Sequence, residues 1–157
     1  MKRMTRLPGL AAVFAGLLLA TGMAWAADET PAGMTPVGTW KIVDQDTGNT
    51  RSVVQLSEVD GELRGMISRV LLSDDGPHPL CKKCTGKLQD QPVEGMVFLW
   101  GLHKDGDAWT GGKILDTDNG KIYKAKLELF DDGSKLKLRR YSGMSMLGHS
   151  QEWRRQP

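Results

Sequence analysis

Two cysteines, Cys81 and Cys84, stand two residues apart in the run Cys81-Lys82-Lys83-Cys84. Sulfur at that spacing can close a short disulfide turn, exchange with other thiols, or hold a metal ion. The charges of Lys82 and Lys83 favour thiolate, but a thioredoxin-like exchange site needs a strand-helix-strand setting, which this chain does not offer. His78 extends the pair to H-x2-C-x2-C, three soft ligands without an evident fourth. Covalent haem is excluded, because Thr85 stands where a histidine would have to follow the second cysteine. In an oxidising compartment a local disulfide is the first expectation, with no metal and no other cofactor.

Catalytic machinery does not announce itself. His78, His103 and His149 are far apart, with no Ser-His-Asp order. Gly143-Met144-Ser145-Met146 begins like a nucleophile elbow, yet Leu147 replaces the final glycine. Asp116-Thr117-Asp118-Asn119-Gly120 resembles part of a calcium loop but lacks the closing Glu, and reads instead as a type I′ turn. The chain is therefore read as a non-enzyme. Two arginines are more informative. Arg69 shares alternation parity with Leu63, Ile67 and Leu71, and Arg140 with Leu136 and Leu138. If those strands hold register, both guanidinium groups point inward, where each must be paired or meet an anionic ligand. With Tyr123 they would suit the carboxylate of a fatty acid or similar amphiphile. Trp100 and Trp109 read as core.

The elements that must position these residues are short and alternating. Runs at Thr39–Asp44, Thr50–Val59, Glu62–Leu72, Met96–His103, Ala108–Leu115, Lys121–Phe130, Ser134–Tyr141 and Gly148–Arg155 are separated by turn signals. Four of these are Asp60-Gly61, Asp105-Gly106, Asn119-Gly120 and Asp132-Gly133, dipeptides that tolerate the positive φ of tight hairpins. Tyr123, Ala125, Leu127 and Leu129 alternate with Lys124, Lys126 and Glu128, the period of a sheet with one buried face. The spacing predicts an all-β fold, an antiparallel meander of about eight strands curled into a small barrel, with a two-sheet β-sandwich as the alternative if residues 73–95 cross over. A barrel of eight strands has room for its own side chains or for one small ligand.

The chain's 157 residues fit one domain. Lys2, Arg3 and Arg6 precede an apolar run from Leu7 to Met23 and end in Ala24-Trp25-Ala26, the pattern of a secretory signal peptide cleaved near Ala26. Residues 27–36 then form a flexible lead-in, and 37–157 the folded domain. Of 21 basic residues the leader holds three and no acid, so the mature chain carries 18 against 19 and offers no electrostatic footprint for nucleic acid. It contains no membrane span, and the leader points to a periplasmic or secreted location. Oligomeric state is not legible.

The ordered motifs Gly38-Thr39-Trp40, Asp46-Thr47-Gly48, Asp60-Gly61 with Gly65 and Ile67, Cys81 to Gly86, Gly111 to Asp116, Asn119 to Tyr123, and Gly148 with Gln151 and Trp153 carry a resemblance. Together they are similar to a secreted bacterial family catalogued as domain of unknown function 2147. The resemblance implies an exported, single-domain protein. The G-x-W of Gly38 and Trp40, with Arg154 and Arg155 in the last run beside Trp153, also resembles the lipocalin-like (calycin) arrangement. There an arginine stacked on tryptophan closes the barrel floor. The function expected is a binding module for a small apolar or anionic amphipathic molecule. Metal capture or thiol exchange at the cysteine loop is one alternative, and an envelope structural or interaction role another.

Overall fold

The computed structural model describes residues 34–144 and 147–157. The expected leader, residues 27–33 of the lead-in, and Ser145-Met146 lie outside the described residues. Eight strands follow in order: β1 (Gly38–Val43), β2 (Thr50–Val59), β3 (Glu62–Val70), β4 (Val97–Asp105), β5 (Ala108–Asp116), β6 (Lys121–Phe130), β7 (Lys135–Tyr141) and β8 (His149–Arg155). Each pairs antiparallel with the next, and β8 returns to β1 through Trp40↔Arg155, Lys41↔Arg154 and Ile42↔Trp153. The result is a closed barrel, so the sandwich alternative gives way: residues 73–95 join neighbouring strands and cross no sheet. Closure satisfies the backbone groups that two free edges would have left open.

Turn chemistry sets the hairpins. Asp60 and Gly61 both take positive φ (53° and 75°), the type I′ geometry that matches strand twist. The turn after β5 differs from the expected type I′. Four residues, Thr117 to Gly120, span it, only Gly120 is left-handed (φ 73°), and the Gly120 N–H donates to the Asp116 carbonyl at 2.8 Å. The Asp116 carboxylate accepts the Asp118 N–H at 3.0 Å, an Asx contact that commits the chain to the wider turn. Bulges bend the wall. Phe98 is the extra residue between the pairs Gly65↔Leu99 and Met66↔Val97, so that Phe98 and Leu99 are consecutive and both buried.

Because inward residues alternate along the strands between the bulges, the lumen collects one apolar set. Trp40, Val54, Leu56, Leu63, Leu99, Leu102, Leu127, Leu136, Leu138 and Trp153 are each at most 1% exposed. Phe98 reaches Trp153 with ring centroids 6.0 Å apart. A void able to hold water would leave accessible surface on the side chains around it, and these have none to offer. The barrel is therefore solid through this layer. Its two ends differ: a floor, where β1 begins and β8 ends, and a mouth, formed by the connections β1–β2, β3–β4, β5–β6 and β7–β8.

Candidate functional site

The floor is sealed by an arginine. Arg155 lies over the Trp40 ring at 4.3 Å, and its guanidinium donates to the carbonyls of Gly133 (2.7 Å), Val37 (3.0 Å) and Thr35 (2.6 Å). Burial lowers its pKa from the usual arginine value, although a guanidinium stays charged throughout. Trp40 in turn donates its indole N–H to the Pro36 carbonyl at 2.8 Å. Gly38 adopts φ 133°, and a Cβ there would stand 3.0 Å from the Arg155 guanidinium, so the position needs glycine twice over. Arg154, singled out beside Trp153, faces outward and is 62% exposed, with Glu152 at 3.8 Å. The stacking role falls to Arg155 because it shares inward parity with the buried Trp153.

At the mouth the two candidate ligand arginines part company. Arg69 is exposed on the outer wall. Val53 faces Arg69 but Val54 faces Ile67, which makes Ser68 an extra residue; its hydroxyl donates to the Val53 carbonyl at 2.9 Å. That bulge reverses the parity inferred from Ile67, so Val70 turns inward against the core and Arg69 turns out. Arg69 thus lies apart from the other two.

Arg140 and Tyr123 do come together. Arg140 pairs across the ladder with Ala125, which is wholly buried, and its guanidinium sits 5.5 Å from the Tyr123 ring centroid. It forms an ion pair with Asp116 and is 40% exposed, whereas Asp116 is 8% exposed. Asp116 also accepts from the Asn119 side-chain amide (3.1 Å), which contacts the Tyr123 hydroxyl at 3.2 Å. Arg140 is therefore neutralised by a carboxylate of its own chain. Reasoning from the sequence named Arg140 and Tyr123 but not Asp116 or Asn119 as their partners.

The β5–β6 turn that carries Asp116 and Asn119 is held from two further directions. Arg51 of β2 lies 3.6 Å from Asp118 and 3.5 Å from Asp44. In the strand order, the β1–β2 and β5–β6 connections stand opposite one another, so the contact with Asp118 crosses the mouth. Cys81 and Cys84 form a disulfide, both nearly fully buried, in the loop between β3 and β4. The Cys81 sulfur stands 3.7 Å from the Thr117 carbonyl, and a Cβ on Gly120 would lie only 1.8 Å from the Lys83 carbonyl. Each sulfur is bonded to the other, and His78 of the considered metal triad turns to Glu94 at 3.6 Å. Among the described residues no group of three or more His, Cys, Asp or Glu side chains could hold a metal ion.

Around this network the mouth is apolar. Leu71, Leu72 and Leu80 of the β3–β4 loop, Ile122 at the start of β6, and Met144 and Leu147 of the β7–β8 connection are all exposed, from 40% to 77%. A groove of about 650 Å³ lies elsewhere, on the outer wall of β5 to β8, with Asp107, Glu128, Phe130, Lys137 and Glu152 in its lining.

A closed antiparallel barrel of eight strands, solid below and bearing an arginine-on-tryptophan floor, is a lipocalin-like fold. A lipocalin-family protein from Helicobacter pylori shares it, with a TM-score of 0.67 and 21% identity over 78% of this chain and 84% of that one. By the family model matched across residues 38–155, the chain belongs to the bacterial family of uncharacterised conserved proteins DUF2147. No curated protein matches the chain significantly. No helix among the described residues is long and apolar enough to cross a membrane.

Proposed function

We propose that this protein acts outside the cytoplasm, after loss of its leader, as a non-catalytic binding module for a small apolar or amphipathic molecule taken up at the mouth. One observation carries the reading. Six large apolar side chains from three segments stand exposed at the end of the barrel that also carries the polar network of Arg140, Tyr123 and Asn119. Clustered exposed apolar surface rimmed by polar groups marks binding surfaces. The lipocalin-like fold supports a binding role by analogy of architecture. Because the layer of Trp40, Trp153 and the leucines is solid, an apolar tail is held at the mouth by the exposed Leu71, Leu72, Leu80 and Met144. Arg69 takes no part.

Native mass spectrometry of protein purified without detergent tests this, together with titration of an environment-sensitive apolar dye. The expected result is a retained small-molecule mass, or dye binding that Leu72→Asp combined with Ile122→Asp abolishes. Dye binding unchanged in that variant, with no retained mass, overturns the reading.

A further inference from the structure

The β5–β6 turn is the point on which the mouth closes. Arg140 grips it at Asp116 from β7, Arg51 grips it at Asp118 from the opposite rim, and the disulfide loop abuts it at Thr117 and Gly120. These attachments differ in kind. The loop contact is a close backbone packing beside buried sulfurs. The two ion pairs are partly open to solvent: Arg140 is 40% exposed, Arg51 41% and Asp118 82%. Asp116 itself is only 8% exposed, but the open side of the Arg140 guanidinium lets a carboxylate from solution reach it and compete with the resident one.

We propose that residues 116–121 form a lid over the mouth, and that the ligand is an anionic amphiphile whose carboxylate head takes Asp116's place on Arg140 and thereby releases the lid. The inference rests on the mouth being the binding site. In the closed state Arg140 lies against the Tyr123 ring with Asp116 as counter-ion. When the incoming head occupies Arg140, the Asp116 carboxylate loses its partner and keeps its bonds to the Asp118 N–H and the Asn119 amide, while its backbone stays bonded to Gly120 and paired with Lys121. The turn then hangs on Arg51 alone on its open side. The same exchange gives selectivity: an alkyl chain ending in an alcohol cannot replace a carboxylate and leaves the lid shut.

The test compares laurate with dodecanol, two probes of equal chain length, and follows amide hydrogen exchange at residues 116–121. Asp116→Asn keeps an acceptor for the Asx contact but removes the competing charge, and Arg51→Ala loosens the lid without touching Arg140. Laurate should bind the natural protein and speed exchange in the turn, while dodecanol binds more weakly and does not. In the Asp116→Asn protein laurate should bind about tenfold tighter, the scale of one competing charged contact removed, with dodecanol unchanged. Arg51→Ala should speed exchange in the turn with no probe present. Equal binding of laurate and dodecanol, unaltered by Asp116→Asn, overturns the head-group exchange and leaves the proposed function standing. If neither probe binds, that function falls and this inference with it.

Discussion

At the scale of single residues, two adjacent arginines in β8 have unlike duties. Arg155 stacks on Trp40 and donates to the carbonyls of Gly133, Val37 and Thr35. Its removal leaves those carbonyls and the indole face unsatisfied at the floor. We expect Arg155→Ala to cost about 2–4 kcal/mol, and Arg155→Lys to recover little because an ammonium cannot span the three acceptors while stacking. Arg154→Ala should fall within roughly 0.5 kcal/mol of the natural protein, as exposed substitutions do. Equilibrium denaturation in urea measures both, and equal losses would refute the assignment of the floor to Arg155. The sequence motif sets Arg154 beside Trp153 at the floor and does not separate it from Arg155; the pairing of Trp40 with Arg155 and the exposure of Arg154 make the distinction.

At the scale of elements, the disulfide loop and the β5–β6 turn form one unit. Cross-linking Cys81 to Cys84 constrains a very short span, so Cys81→Ala with Cys84→Ala should cost only about 2 kcal/mol by chain entropy. Gly120→Ala should disturb the same contact from the other side, since a side chain there meets the Lys83 carbonyl and also resists φ 73°. Both variants should expose the turn to hydrogen exchange well before the strands open, and a wholly global response in both would refute the unit. Strand positions and hairpins were readable from alternation and from Asp-Gly and Asn-Gly punctuation, because those signals are local. The inward placement expected of Arg69 failed because a single bulge at Ser68 resets parity and leaves no mark in composition. The partnership of Arg140 with Asp116 joins residues 24 apart along the chain, a contact that only closure of the wall creates.

At the scale of the whole molecule, acid sensitivity should come from surface carboxylates held below their ordinary range. Asp44 is lowered chiefly by the Thr47 backbone N–H, Glu62 by Arg64, and Glu94 by the Val70 N–H. A depressed folded pKa stabilises above the unfolded value and loses that contribution as pH falls through the folded one. The melting temperature should therefore hold steady from neutrality to about pH 5 and fall below about pH 4, less steeply in Glu62→Gln. A scanning calorimetry series that declines instead between pH 6 and 8 would contradict this. Closure has a further consequence. The seam between β1 and β8 joins the earliest strand to the latest, so during synthesis the first half of the sheet waits, unzipped, for the last seven-residue segment to emerge. A product that stops short of β8 keeps two raw borders, each an invitation to stick to its neighbours.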